Sequence, residues 1–143
     1  MVIIMWFLFA ILSALFSSVM MLLIKVGLKD LDTNLGLAIR TVIVAVLCVI
    51  NILIFGNIKE IKSVSGKTWL WLVLAAVATF LTWLFYFIAV KSTSPVNVMA
   101  VSQASIVFTI ILSFVFLKEK ISIMDIIGSL IILLGVYILV YKG

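Results

Sequence analysis

Polar side chains stand deep inside one apolar run of this sequence, where an unpaired hydrogen-bonding group is costly. Ser102 and Gln103 lie seven and eight residues beyond Pro95. In a helix starting at Pro95 they would be about 10–12 Å from its beginning. A glutamine facing hydrocarbon there would leave its amide unpaired at a cost of several kcal/mol. The same arc of the helix, at about 100° per residue, carries three further hydroxyls: Ser105, Thr109 and Ser113. Such groups either line a cavity that binds a polar solute or bond to a neighbouring helix.

Two other apolar runs carry similar faces. Thr79, Trp83 and Tyr86 share one side of a helix, with Trp83 near the middle of its run. The Trp83 indole N–H needs a partner at that depth, which predicts an adjoining polar or hydrated space. A packed aromatic core is the alternative. Ser13 and Ser17 share a face of the first run.

Charged groups are almost absent from the apolar runs. Arg40 is the exception, about one and a half turns into the second run. Its long stem can carry the charge to the membrane interface, or the guanidinium can contact a solute or lipid phosphate. All acidic residues fall in connectors or in the first turn of the last run: Asp30, Asp32, Glu60, Glu119 and Asp125. Antiport that carries protons on a mid-membrane carboxylate is therefore disfavoured.

The elements that position these residues follow from composition. The chain is 67% hydrophobic and 10% charged, whereas soluble domains carry about 25% charged residues. A membrane-spanning helix needs roughly 20 apolar residues, so we predict an all-α membrane protein. The first run continues unbroken to Lys25 with no preceding basic residue, which favours a spanning helix over a cleaved signal peptide. The predicted helices are 2–24, 35–55, 68–90, 95–117 and 123–141.

Capping residues mark two of the helix starts. Ser94 can cap the fourth helix, with Pro95 at its first position, where a missing N–H costs nothing. Ser122 and Asp125 before the fifth helix resemble a capping box with Asp in place of Glu. The proline is therefore interpreted as a helix start and not as a hinge.

The remainder of the chain offers no catalytic set. Gly128 and Gly135 are seven residues apart on one face of the fifth helix, which predicts close helix packing. The chain has no histidine and a single thiol, Cys48, which excludes a cluster of soft metal ligands and an intrachain disulfide. No phosphate-binding GxxxxGK[ST] motif occurs. We expect no enzyme activity, no cofactor, no metal and no nucleic-acid partner.

Three stretches together are similar to a known family. They are "IKVGLKDLDTNLGLAIR" at 24–40, "TWLFYFIAVK" at 82–91 and "FLKEKISIMDIIGSLIILLGVYILV" at 116–140. They resemble the EamA domain of the drug/metabolite transporter superfamily, and in particular its short five-span bacterial and archaeal members. The resemblance extends from about Ser13 onward. It implies a location in the inner (plasma) membrane of a bacterium or archaeon.

The resemblance carries implications for architecture and site. Most relatives contain two such domains inserted in opposite orientations, so this single domain would be half of a ten-helix inverted-repeat transporter. The first, third and fourth spans of each half line the central cavity of those relatives. That implies a set of substrate-lining residues, to which Arg40 is added as a weaker candidate: Ser13, Ser17, Thr79, Trp83, Tyr86, Ser102 and Gln103.

Two departures from the family pattern stand out. Close five-span relatives tend to have an Asp-Lys pair where this chain has Ser102 and Gln103. The usual Gly-Glu-Arg after the fourth span is replaced here by Lys118, Glu119 and Lys120. The first departure removes a charge that could serve coupling or ligand binding.

Basic residues are balanced between the two membrane sides, five against five. On the side of the N-terminus are Lys59, Lys62, Lys67, Lys118 and Lys120; on the other are Lys25, Lys29, Arg40, Lys91 and Lys142. Insertion then has no strong preference. Together with the resemblance, this implies an antiparallel, dual-topology homodimer in the lipid bilayer. The resemblance also implies that the dimer moves a small metabolite or drug-like solute by alternating access. The alternatives are a flippase, or flippase subunit, for a lipid-linked sugar, and a non-transporting partner subunit of a heteromeric transporter.

Overall fold

The computed structural model describes residues 2–56 and 58–141, with side chains for all of these except 2–4 and 59. Lys142 and the side chain of Lys59, both counted above, therefore lie outside the described residues. The described residues form helices and no strands. The helices are α1 (Val2–Gly27), α2 (Thr33–Phe55), α3 (Gly66–Ser92), α4 (Pro95–Ser102), α5 (Ser105–Leu112) and α6 (Ile123–Tyr141), with a 3-10 turn at Ile58–Ser63 and a π turn at Ser113–Leu117.

Five helical spans within the described residues are long and apolar enough to cross a membrane, which confirms the predicted fold class. The observed helices extend two or three residues beyond several predicted ends. One reason is capping, since the Asp32 carboxylate accepts hydrogen bonds from the amides of Asn34 and Leu35, both 3.0 Å, and so begins α2 at Thr33. A hydropathy pattern marks the apolar segment, whereas the helix continues into its polar flanks.

The fourth span has the predicted bounds, Pro95–Leu117, but it is not a regular α-helix throughout. Between α4 and α5, Gln103 and Ala104 form a turn in which backbone amides bond three residues back, Gln103 to Ala100 and Ala104 to Val101. The Ser102 hydroxyl also donates to the Met99 carbonyl, 2.7 Å away. A side chain that competes for the backbone carbonyls favours such a break.

A second irregularity ends this span. The π turn Ser113–Leu117 is followed by Lys118 in the left-handed conformation, with φ 55° and ψ 30°. The amides of Lys118 and Glu119 both bond back to the Ser113 carbonyl, the second at 3.3 Å, so the π turn ends at a left-handed residue. Glycine is the usual residue at that position because it has no Cβ to clash. Lys118 therefore occupies the place of the family's glycine.

Both predicted helix caps are confirmed. The Ser94 hydroxyl accepts a hydrogen bond from the Asn97 amide at 3.2 Å, and Pro95 is in the first turn of α4. At α6 the Asp125 carboxylate accepts from the Ser122 amide at 2.9 Å, and the Ser122 hydroxyl accepts from the Met124 amide at 3.2 Å. These bonds satisfy amides that a helix start leaves without intrahelical partners.

The chain divides into two compact units. The central unit is Ile24–Lys91, and the terminal unit combines Met1–Leu23 with Ser92–Gly143. Buried residues of the central unit are Ile24, Leu28, Leu37, Phe87 and Val90; those of the terminal unit are Met21, Val98, Ala100 and Ser129. Most other apolar side chains of the described residues are not covered by this chain. Lipid or another protein chain must cover them.

Candidate solute-binding site

The central unit holds an arginine in contact with aromatic rings. The Arg40 guanidinium carbon of α2 lies 4.3 Å from the centroid of the Trp83 ring and 5.7 Å from that of Phe87. Trp83 and Phe87 are four residues apart in α3 and so share one face of that helix. Tyr86 lies between them in sequence and close to Arg40. We call Arg40, Trp83, Tyr86 and Phe87 the arginine cluster.

The Arg40 guanidinium lies beside the part of α3 that runs from Trp83 to Phe87. Arg40 is the eighth residue of α2, about 10 Å along the helix. Trp83 precedes the last residue of α3 by nine positions, about 13 Å. An arginine in the middle of a membrane helix costs about 2.5–3.5 kcal/mol, of which a cation–π contact offsets about 0.5–2 kcal/mol.

Burial within the arginine cluster is uneven. Phe87 is only 2% exposed and belongs to the core of the central unit. Arg40, Trp83 and Tyr86 are half-buried. One side of the cluster is therefore packed, and the guanidinium and indole are partly accessible from the other. A partly open surface with a charge and hydrogen-bond donors can bind a solute, whereas a closed aromatic core cannot.

Two lysines tie the end of α3 to the end of α1 and the following connector. The Lys25 amine donates to the Val90 carbonyl at 2.7 Å and to the Lys91 carbonyl at 3.5 Å. The Lys91 amine donates to the Leu31 carbonyl at 2.8 Å. Cations at a helix C-terminus satisfy carbonyls that have no intrahelical partner and complement the helix dipole. We call this pair of contacts the lysine clamp.

The terminal unit contains an open groove of about 370 Å³. Its walls are apolar, with Met21, Leu22 and Met99 among them, apart from the polar side chains of Ser18 and Gln103. Gln103 reaches the groove from the turn that interrupts the fourth span. Sequence reasoning selected Gln103 but missed Ser18. The signal for Ser18 was its spacing, since positions 18, 21 and 22 share one helical face.

The other predicted lining residues are dispersed. Ser13 is exposed and Ser17 half-buried on α1, and neither lines the groove. The Thr79 hydroxyl is exposed and donates to the Ala75 carbonyl of its own helix at 2.8 Å. Ser102 is half-buried and bonds within its own helix, as described above. Their role as solute contacts stays a prediction.

The two glycines predicted to mark close packing face open space within this chain. A Cβ added at Gly128 or Gly135 would meet no heavy atom within 4 Å outside the local helix. Any helix packed closely against these positions would therefore belong to another chain. The packing role of both glycines stays a prediction.

The five apolar helices of the described residues, each long enough to span a bilayer, are those of a multi-pass membrane protein. One of its units carries the arginine cluster and the other the groove. The pattern of the EamA-like transporter family matches residues 4–141, so the chain belongs to that family. A protein of Sinorhizobium sp named "Uncharacterized transporter in cobO 3'region" is 34% identical over 136 residues, which cover 94% of this chain and 95% of that protein. No solved structure matches the chain. The family and the relative identify a membrane transporter of the drug/metabolite kind and point away from an enzyme.

Proposed function

We propose that this transporter moves a small organic solute by alternating access, as a homodimer of two oppositely inserted copies in the plasma membrane of a bacterium or archaeon. Two five-span copies related in this way would form a ten-helix inverted repeat. Inverted repeats support alternating access because the two halves exchange conformations around a site near the membrane midplane. The similarly short relative named as a transporter supports a five-span chain as the functional unit.

The balance of basic residues is the observation that carries the proposal. Each side of the membrane receives five lysines or arginines. The connectors between the observed helices are short, and in short loops such residues determine orientation. An equal count leaves both insertions accessible. An antiparallel homodimer requires both in similar amounts.

The open faces of the single chain support a second copy. Gln103 is exposed on a spanning helix of this chain, and amide side chains at membrane depth normally face protein or water. The open positions beside Gly128 and Gly135 have room for a closely packed helix of a partner. A second copy can cover these faces and enclose a hydrated cavity.

Single-cysteine labelling tests the topology. Cys48 is a free, exposed thiol and must first be replaced, as in Cys48→Ala. Ser63→Cys and Thr93→Cys then place a thiol in an exposed connector on each side of the membrane. A membrane-impermeant maleimide should label each position from both sides in similar amounts. Labelling of each position from one side only, with transport intact, would contradict the antiparallel homodimer and favour a parallel assembly or a different partner.

Charge variants test whether both orientations are needed. Lys62→Gln with Lys67→Gln and Thr93→Lys leaves three basic residues against six and should bias insertion one way. Each biased protein alone should transport poorly. Mixing it with an oppositely biased variant should restore transport, because only the mixture supplies both halves of the cavity. That second variant combines Lys29→Gln with Ser63→Lys and Val64→Lys, leaving seven against four.

A further inference from the structure

The arginine cluster places a positive charge where the sequence provides no negative one. Every acidic residue lies in a connector or in the first turn of α6. Arg40, in contrast, is about two turns inside α2. The site's charge therefore selects against cations and in favour of anions.

The position of the guanidinium suits an anion. The guanidinium carbon lies over the Trp83 ring, 4.3 Å from the ring centroid. Carboxylates and phosphates bind along the edge of a guanidinium, where its N–H groups point outward in the plane. The cation–π contact can therefore hold the group in place while it binds an oxyanion through N–H groups.

The surrounding charges have the same sign. The central unit carries seven basic and three acidic residues. Lys25 and Lys91, which form the lysine clamp, lie at the end of the helix that supplies Trp83. Asp32, an acidic residue in the connector before α2, has a carboxylate that caps that helix. An anion approaching from the end of α3 would thus pass the clamp lysines before reaching Arg40.

We propose that the arginine cluster binds the carboxylate or phosphate group of an organic molecule, with the apolar part of that molecule against Trp83 and Tyr86. The inference rests on the proposed transport function, because it assigns the transported solute to the class of organic anions. A lipid phosphate headgroup offers the same chemistry. The experiment therefore includes separate arms for a soluble anion and for a lipid.

The test measures binding to the purified protein in a neutral detergent with phosphatidylcholine. The probes share one aromatic ring and differ in charge: benzoate and phenyl phosphate are anions, benzamide is neutral and benzylammonium is a cation. The two anions should raise the unfolding temperature and change the tryptophan emission. Benzamide and benzylammonium should do neither at the same concentration. Equal binding of the cation and the anions would overturn the proposal.

Matched variants assign the binding to Arg40. Arg40→Gln should weaken anion binding roughly 10- to 100-fold, because a charge-assisted hydrogen bond is lost. Lys29→Gln removes one basic residue from the same membrane side, so it shares any effect on insertion, and should bind as the wild type. Arg40→Lys should give an intermediate affinity, since an ammonium cannot bind bidentately. The Arg40→Lys variant also tests the assignment of anion binding to Arg40 if Arg40→Gln does not fold. Unchanged affinity in a folded Arg40 variant would overturn the proposal.

The lipid arm identifies the source of the anion. Phosphatidylglycerol replaces phosphatidylcholine in one arm, and all phospholipid is left out in another, because phosphatidylcholine also carries a phosphate. Phenyl phosphate binding is measured in both for the wild type and Arg40→Lys. Competition that depends on Arg40 would assign the site to a lipid headgroup, and its absence would assign it to a soluble anion. Either result requires an anion site at Arg40. The binding measurement does not depend on how the protein inserts into the membrane. One-sided cysteine labelling would therefore refute the antiparallel homodimer without affecting the evidence for an anion site at Arg40.

Discussion

Replacing Phe87 should destabilise the protein more than replacing Trp83, although tryptophan is the larger side chain. Phe87 is 2% exposed, so Phe87→Ala would leave a closed cavity, at about 3–5 kcal/mol of unfolding free energy. Trp83 is half-buried, and the space left by Trp83→Ala would open away from the packed core. Its main loss is the cation–π contact with Arg40, which is worth about 0.5–2 kcal/mol. We therefore expect a cost of about 1–2 kcal/mol for Trp83→Ala.

The comparison can be measured by reversible unfolding in mixed detergent micelles, followed by circular dichroism. Trp83→Phe keeps an aromatic ring under the guanidinium and should recover most of the loss caused by Trp83→Ala. Phe87→Leu should recover part of the loss caused by Phe87→Ala, because it refills some of the cavity. Equal losses for the two alanine variants would show that Trp83 is a core residue. The interpretation of its ring as an open platform for Arg40 would then be wrong.

Lys25→Met should lower the free energy of unfolding by about 1.5–3 kcal/mol, because a hydrogen bond from a charged amine to the part-buried Val90 carbonyl is lost. Lys91→Met should cost less because its bond is exposed, and equal losses in thermal unfolding would contradict this. Lys118→Gly should raise stability by about 1 kcal/mol by relieving the left-handed backbone, whereas Lys120→Gly, the control, should give no gain. Flux of a bound solute in proteoliposomes should continue without a proton gradient, since no carboxylate lies mid-membrane; uptake abolished by a protonophore, with no passive flux, would refute it.

The spans and caps could be predicted because their causes are local. A run of about 20 apolar residues is sufficient for a spanning helix, and the bonds at Ser94 and Ser122 depend only on neighbours within three residues. The interruption of the helix at Gln103 and Ala104 could not be predicted in this way. It depends on whether each backbone amide bonds to the carbonyl three or four residues back. Periodicity assigned Ser102 and Gln103 to a continuous face and gave no sign of a turn.

The contact between Arg40 and the Trp83 ring could not be predicted from the sequence either, for a different reason. Arg40 and Trp83 were each selected, but separately, since a single sequence does not show which turn of α3 lies opposite which turn of α2. The structure supplies that pairing. At Lys118 the sequence showed only that a lysine stands where the resembling family has glycine. The structure shows that this position is left-handed, a conformation in which glycine is favoured.

When residues are chosen from the sequence by their depth in the membrane, too many hydroxyls are selected as solute contacts. A hydroxyl has one donor, which can bond to a carbonyl three or four residues back in its own helix. Such bonds are made by Ser18, Thr79, Thr82, Ser102 and Thr109. An arginine guanidinium has five N–H donors and a glutamine side-chain amide has two. A tryptophan indole carries its one donor on a rigid ring. The carbonyls of their own helix cannot satisfy these groups as they satisfy a hydroxyl. Arg40, Gln103 and Trp83 therefore need partners beyond their own helix, and for that reason they are stronger candidates than the hydroxyls for the solute-binding surface.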